Sequence, residues 1–186
     1  MKTVLIRHGK TAGNLEGRYI GCGTDEPLCE AGKAEIHGLR APEVDRVFVS
    51  PMKRCLETAA ILYPNRAAII VDDFRECDFG AFENRNYAEL NGDPDYQRWI
   101  DSGGEMPFPN GESRAAFAAR CVSAYEKLRK DFHGDCALIV HGGTIMAIME
   151  KYACPHGRYF DFQLKNADGY LLDADGSYQK LTKGVI

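Results

Sequence analysis

Two histidines and two arginines follow short apolar segments of the sequence. "VLIRHGK" runs into Arg7 and His8, "VFVSPMKRC" leads to Arg54, and "LIVHGG" runs into His141. Because ligands of open α/β sheets bind beyond the carboxyl ends of the strands, we expect these side chains to meet in one pocket. The guanidinium forks of the two arginines match phosphate oxygens. The sequence therefore predicts a site for a phosphate dianion.

The two histidines suggest what such a site does. A neutral ring nitrogen of His8 can attack phosphorus and form a phosphohistidine, and a charged His141 would donate to the equatorial oxygens in the transition state. The leaving oxygen needs a proton, for which we prefer Glu76 in "DDFRECDFGAFE". The competing carboxylates are those of Asp72, Asp73, Asp78 and Glu83. Gly9 and Gly142 lack a Cβ, so their N–H groups are expected to approach the phosphate closely.

The elements that must position these residues alternate along the chain. Short, β-branched runs predict buried strands at residues 3–6, 46–50, 67–71 and 136–140, and helical patterns cover residues 30–40, 51–63 and 112–132. Such alternation predicts a layered α/β domain with a mainly parallel sheet. After Cys154, the pieces "FDFQL", "GYLLDAD" and "YQKLTKGV" suggest edge strands, with "DADGS" as a hairpin turn.

The chain of 186 residues has the length of one domain, so we expect a single domain over residues 1–186. Residues 72–111 break the alternation and are interpreted as a lid or insertion over the active site. The aromatic residues from Phe79 to Trp99 in this segment serve either as lid packing or as a platform for a ring-containing substrate.

The composition of the chain limits the kinds of partner that we expect it to bind. The net charge of −4 argues against nucleic acid, and no segment approaches the ~20 apolar residues that cross a bilayer, so we expect no membrane association and a cytoplasmic location. The seven cysteines form no CxxC pair, which favours reduced thiols and no metal. The expected partner is a small phosphorylated metabolite. The oligomeric state stays open, a homodimer included.

Four motifs are similar to those of a known family. "RHGKTAGN", "SPMKRCLETA", "RECDFGAFE" and "VHGGTI" occur in the same order in the histidine phosphatase superfamily, the phosphoglycerate-mutase-like group of small phosphatases and cofactor-dependent mutases. The chain resembles that family from residue 7 to residue 145. The resemblance implies a three-layer α/β/α sandwich with a mainly parallel central sheet.

The resemblance also implies roles. His8 would be the phosphorylated nucleophile and Glu76 the proton donor, with Arg7, Arg54 and His141 forming the phosphate pocket. The residues that we expect around the substrate are Lys10, Thr11, Asn14, Gly21 and Gly142. Three positions depart from the family pattern: Lys10 replaces an acidic residue, Gly13 replaces a tryptophan, and "FEN" replaces W-E-G. These departures bear on the substrate rather than on the reaction.

The short chain favours hydrolysis, since mutases of this family tend to be longer. "GRYIGCGTDEPLCEAG" resembles a stretch common in α-ribazole phosphatases. Our specific hypothesis is therefore hydrolysis of α-ribazole 5′-phosphate in cobalamin biosynthesis, without metal or cofactor. The alternatives are a broad-specificity sugar-phosphate phosphatase, a phosphoglycerate mutase, and a phosphoester-binding protein without catalysis.

Overall fold

The computed structural model describes residues 1–182. The strands are β1 (Thr3–Arg7), β2 (Arg46–Val49), β3 (Ala68–Ile70), β4 (Cys136–Val140), β5 (Gly169–Leu172) and β6 (Tyr178–Leu181). The helices are α1 (Ala12–Leu15), α2 (Glu30–His37), α3 (Lys53–Leu62), α4 (Tyr87–Leu90), α5 (Pro94–Asp101), α6 (Arg114–Asp131) and α7 (Gly142–Tyr152). Short 3₁₀ turns span Asp72–Phe74, Gly80–Phe82 and Tyr159–Phe162.

The six strands form one sheet in the order β3-β2-β4-β1-β5-β6. Strands β1 to β4 run parallel, while β5 and β6 are antiparallel additions at one edge. Ile6 on β1 and Val49 on β2 both pair with Ile139 on the central strand β4. The carboxyl ends of these three strands therefore lie level, and the residues that follow them are brought together.

Helices cover both faces of the sheet. Leu5 and Leu138 belong to the core on the side of α6 and α7, whereas Ile6 and Ile139 belong to the core that includes Cys55 of α3. Neighbouring strand residues alternate between the two cores because successive side chains of a strand point to opposite faces. The predicted α/β sandwich with a mainly parallel sheet is confirmed.

Two predicted strands differ from the structure. Strand β3 was expected to be buried on both faces, but Ala68, Ile69 and Ile70 are all exposed because β3 is the edge strand beside β2. "FDFQL" was expected to be an edge strand, but its first residues lie in the 3₁₀ turn Tyr159–Phe162, which buries Tyr159 and Phe162. The end of "YQKLTKGV" lies outside the described residues.

Residues 72–111 consist of two 3₁₀ turns and the short helices α4 and α5. The segment contributes Phe74, Phe82, Leu90 and Phe108 to the core on the side of α6. It also lines the cavity described below, and its movement as a lid stays a prediction. Within residues 1–182, no helix combines the length and apolar character needed to span a membrane.

Candidate active site

The predicted catalytic side chains converge at the level ends of β1, β2 and β4. His8 follows β1 and donates its backbone N–H to the carbonyl of Val140 at the end of β4 (3.0 Å). His141 is the next residue along from β4 and the N-cap of α7. The imidazole rings of His8 and His141 lie 5.2 Å apart, centroid to centroid, with 66° between their planes. The pairing of the strands thus produces the pair of histidines.

The tautomer of His8 follows from one hydrogen bond. Its Nδ1 lies 2.7 Å from the carbonyl oxygen of Gly9. A carbonyl oxygen only accepts, so Nδ1 carries the hydrogen and donates it. In the neutral ring, Nε2 therefore keeps its lone pair, and the side chain lines a cavity of the protein. This is the form that a nitrogen nucleophile requires.

The surroundings of both histidines favour the neutral ring. Burial, followed by the positive charges of Arg54 and Arg7, holds the pKa of His8 well below its ordinary value of 6.5. Burial, Arg54 and His8 act in the same direction on the pKa of His141. The sequence argument assumed a charged His141, whereas burial and the neighbouring positive charges lower the pKa of its ring and disfavour that form. The negative charge of a bound phosphate would favour its protonation.

Each of the two arginines uses some of its guanidinium N–H groups in hydrogen bonds and leaves its Nε–H unpaired within residues 1–182. Arg7 donates from Nη1 to the carbonyl of Leu164 (2.6 Å), and Arg54 donates to the carbonyls of Thr24 (3.0 Å) and Gly21 (3.1 Å). The Nε atoms of Arg7 and Arg54 are buried, and neither has a hydrogen-bond partner among residues 1–182. Buried donors are normally paired, so the Nε of Arg7, which lines the cavity, is suited to a ligand oxygen. Arg54 is fully buried and is not among the residues that line the cavity.

The first turn of α7 completes this end of the cavity. Gly142 and Gly143 line the cavity, and the N–H groups that begin a helix favour an anion. A Cβ at Gly142 would lie 3.4 Å from Nε of Arg7, so glycine keeps this approach open. The expectation for Gly9 is wrong: its N–H donates to Thr58 Oγ1 (3.0 Å) and is not available to a phosphate.

Glu76 reaches the histidines from the loop after the turn Asp72–Phe74. Its Oε1 accepts from the N–H of Cys77 (2.9 Å), and its Oε2 lies 3.7 Å from Nδ1 of His141. Burial raises the pKa of Glu76 above its ordinary value of 4.5, with the Cys77 N–H and the two arginines acting against this shift. A carboxyl group that holds its proton to higher pH is suited to general acid catalysis.

The other predicted residues are placed in two ways. Asn14 lines the cavity together with Gly142. Gly21 instead holds Arg54 through its carbonyl, while its N–H donates to Glu83 (3.0 Å). Thr11 caps α1 by accepting from the N–H of Asn14. Its substrate contact stays a prediction.

Lys10 does not line the cavity. Its ammonium group pairs with Glu35 on α2 (3.1 Å), and its side chain is 36% exposed. A contact between Lys10 and a substrate is therefore not supported by this placement.

Sequence reasoning missed Asn166. Its Nδ2 donates to the carbonyl of His8 (3.1 Å) and to Oδ1 of Asn14 (3.1 Å), and the side chain lines the cavity. Asn166 lies in the turn between the 3₁₀ turn Tyr159–Phe162 and β5, more than 150 residues from His8 in sequence. No local motif marks it, because only the pairing of β1 with β5 brings that turn to His8.

Aromatic side chains form much of the remaining lining of the cavity. The cavity has a volume of about 440 Å³. Its aromatic residues are Tyr19, Phe79, Trp99, Phe108, Phe117, Tyr159 and Phe160. Trp99 stacks on Phe108 with 4.9 Å between ring centroids. At the rim, Arg18 pairs with Glu89 (2.8 Å) and Arg114 pairs with Glu105 (2.6 Å).

Within residues 1–182, no group of three or more histidine, cysteine, aspartate or glutamate side chains is arranged to hold a metal ion.

Sequence comparisons with known proteins find a family model and curated relatives that match this chain. The family model of the histidine phosphatase superfamily (branch 1) matches residues 3–184. The adenosylcobalamin/alpha-ribazole phosphatase of Salmonella typhimurium is 28% identical over 162 residues, covering 81% of this chain and 79% of that protein. Phosphoserine phosphatase 1 of Hydrogenobacter thermophilus is 27% identical over 157 residues, covering 80% of this chain and 74% of that protein.

A solved structure shares the fold over the whole chain. The crystal structure of the alpha-ribazole phosphatase from Shigella flexneri superposes with a TM-score of 0.86 at 22% identity, covering 100% of this chain and 98% of that one. At this identity the similarity supports the architecture, and the chemistry is argued from the site.

Proposed function

The chain belongs to the histidine phosphatase superfamily and is a phosphatase, and we propose that it hydrolyses phosphate monoesters through a phosphohistidine at His8. The observation that carries this proposal is the hydrogen bond from His8 Nδ1 to the carbonyl of Gly9, which leaves Nε2 with a lone pair on a side chain that lines the cavity. The lowered pKa of His8 keeps that lone pair free of a proton near pH 7.

In the first step, Nε2 of His8 attacks phosphorus while the bond from phosphorus to the ester oxygen breaks. Glu76 gives its proton to that oxygen, so the alcohol leaves neutral and Glu76 becomes a carboxylate. Arg7, Arg54 and the N–H groups at the start of α7 would hold the three equatorial oxygens. The positive charge that forms on the His8 ring is balanced by the transferred phosphoryl group.

In the second step, water attacks the phosphohistidine. The Glu76 carboxylate takes a proton from this water while the bond from phosphorus to Nε2 breaks. The products are inorganic phosphate and a neutral His8, and Glu76 has regained its proton. One carboxyl group thus acts as acid in one half-reaction and as base in the other, and the two steps sum to hydrolysis.

For the substrate, we propose α-ribazole 5′-phosphate. A phosphate group alone would fill only part of a cavity of about 440 Å³. The aromatic residues that line the cavity suit a leaving group with a flat apolar ring, because ring stacking adds to the burial of apolar area. Arg18 and Arg114 at the rim already pair with carboxylates, which disfavours leaving groups that carry a carboxylate. The Salmonella relative named above acts on this kind of ester by its name.

A panel of phosphate esters tests the substrate. We expect kcat/KM for α-ribazole 5′-phosphate to exceed that for phosphoserine, 3-phosphoglycerate and glucose 6-phosphate by at least about 10-fold, the worth of about 1.4 kcal/mol of ring contacts. Equal values across the panel would favour a broad-specificity phosphatase. Conversion of 3-phosphoglycerate to its 2-phospho isomer, stimulated by a bisphosphate, would favour a mutase.

A further inference from the structure

Two side chains outside the cavity hold the loop that carries Glu76. Arg120 on α6 donates from Nη1 to the backbone carbonyls of Asp73 (2.7 Å) and Arg75 (3.1 Å). These carbonyls lie just before Glu76 in the chain. One guanidinium group therefore binds the loop at two points on the N-terminal side of the acid.

Glu112 binds the same loop on the other side of the acid. Its backbone N–H donates to the carbonyl of Asp78 (2.9 Å), and its Oε2 lies 3.3 Å from the N–H of Asp78. Glu112 is in turn held by Arg120, whose Nε and Nη2 donate to Oε1 (3.0 Å) and Oε2 (2.8 Å). This fork geometry fixes both partners in direction as well as distance.

The pair is more than a surface contact. The side chains of Arg120 and Glu112 are only 13% and 19% exposed, so solvent screens the interaction less than it would at the surface. Arg120 also lies over the ring of Phe117, 5.2 Å from its centroid, and Phe117 lines the cavity. Helix α6 supplies a rigid base, since its apolar stripe is buried in the core.

The carboxyl group of Glu76 is held by few direct hydrogen bonds. It accepts from the adjacent N–H of Cys77 and lies 3.7 Å from the ring of His141. The position of this carboxyl group therefore depends on the backbone from residue 73 to residue 78. An error of about 1 Å in the placement of a catalytic group is enough to cost about 100-fold in rate.

We propose that Arg120 and Glu112 are positioning residues for the general acid: they hold the loop 73–78 so that Glu76 meets the leaving oxygen. This inference rests on the proposed function, and it assigns a role in proton transfer to residues that contact no substrate. Loss of these contacts should therefore slow the hydrolysis of esters whose leaving group needs the proton more than that of esters whose leaving group does not.

The test compares leaving groups. Arg120→Lys keeps the charge but loses the fork, and we expect kcat for an alkyl phosphate to fall about 10- to 100-fold more than kcat for p-nitrophenyl phosphate, whose leaving group needs little protonation. Glu112→Gln should show the same selectivity. Arg129→Lys is the matched control, because Arg129 lies on the same helix and contacts Tyr125 and Tyr152 instead. It should leave both rates within about 2-fold.

Coupling to the acid separates positioning from stability. In a Glu76→Gln background, Arg120→Lys should cause no further selective loss, because there is no proton left to place. Equal losses for both esters in Arg120→Lys and in Glu112→Gln, or an unchanged selective loss in the Glu76→Gln background, would overturn the proposal. If instead Glu76→Gln itself shows no leaving-group dependence, it is the acid assignment of the proposed function that fails. If either Arg120→Lys or Glu112→Gln fails to fold, the other variant provides the same comparison.

Discussion

The residues assigned to the phosphate (the phosphate end) and those assigned to the leaving group (the leaving-group end) come from different parts of the chain. At the phosphate end, His8, His141 and Gly142 follow parallel strands of the sheet, and Arg54 lies in the first turn of α3. Of these four, His8 and Gly142 line the cavity. At the leaving-group end, aromatic side chains come largely from the irregular residues 72–111 and from the 3₁₀ turn Tyr159–Phe162. The reaction is thus attached to the topology of the fold, whereas the choice of ester is attached to loops that can change without disturbing it.

Removing the nucleophile should cause the largest loss of activity. His8→Ala should lower kcat for every ester by on the order of 10⁶-fold, since the residues of a catalytic unit fail together when one is removed. Phosphate release from p-nitrophenyl phosphate and from an alkyl phosphate checks this. His37→Ala, at the exposed end of α2, is the control and should retain full activity. Undiminished hydrolysis by His8→Ala would exclude the phosphohistidine route.

A second change at the phosphate end concerns Arg54. Arg54→Lys keeps a positive charge but loses the planar fork and the unpaired Nε donor. We expect kcat/KM to fall about 10²- to 10³-fold by a similar factor for all esters, because the phosphate is common to them. Lys53→Ala, the exposed neighbour on α3, should have no effect. A loss that depends on the leaving group would place Arg54 at the wrong end of the cavity.

The third change lies where the two ends meet. Glu76→Gln should lower kcat for an alkyl phosphate about 100-fold and for p-nitrophenyl phosphate much less. In the wild type, activity on alkyl esters should fall as the pH rises through the raised pKa of Glu76, because the acid loses its proton. That alkaline limb should vanish in Glu76→Gln. Asp72→Asn, an exposed carboxylate nearby, is the control; a persistent limb would assign the proton to another group.

The buried histidines should also make stability depend on pH. Below the ordinary pKa of 6.5, the unfolded chain binds a proton at His8 and at His141 that the folded protein does not bind. The free energy of unfolding therefore falls as the pH falls, by up to about 1.4 kcal/mol per pH unit for each histidine. Urea denaturation from pH 7 to pH 5 should show a slope smaller by that amount in His8→Gln and unchanged in His37→Gln. Equal slopes in all three proteins would contradict the neutral buried state.

The smallest expected effect belongs to the leaving-group end. Trp99 lines the cavity, and its Nε1–H is buried without a hydrogen-bond partner in residues 1–182. Trp99→Leu should lower kcat/KM for α-ribazole 5′-phosphate about 10-fold, mainly through KM, and that for glycerol 3-phosphate less than about 2-fold. Tyr87→Leu on exposed α4 is the control. A uniform loss across both esters would mean that Trp99 serves packing alone.

Sequence reasoning reached the phosphate end more fully than the leaving-group end for a physical reason. His8, Arg54 and His141 follow apolar strands or begin a helix, and the period and length of those elements are visible in the sequence. The partners of Asn166 and Arg120 depend instead on the packing of a turn and a helix against distant backbone. Every residue has a backbone carbonyl, so the sequence does not show that those of His8 and Arg75 accept these hydrogen bonds.

Tertiary packing also explains why the predictions for strand β3 and for Gly9 were wrong. Strand β3 looks buried because its side chains are apolar, yet its place at the edge is set by tertiary pairing. Gly9 belongs to the same motif as His8, yet a Cβ there would clash with Ile36, so the glycine serves the packing of α2. Composition reveals that a close approach exists, and the structure reveals what approaches.

Trapping the phosphoenzyme is the decisive experiment for the role of His8. Glu76→Gln should slow the attack of water on the phosphoenzyme, so the variant is mixed with p-nitrophenyl [³²P]phosphate, quenched in alkali and digested. We expect the label on the peptide that contains His8, bonded to Nε2, and a burst of p-nitrophenol that matches the labelled protein. Label on another residue or on Nδ1, or phosphate release with no labelled protein at any time, would contradict the account.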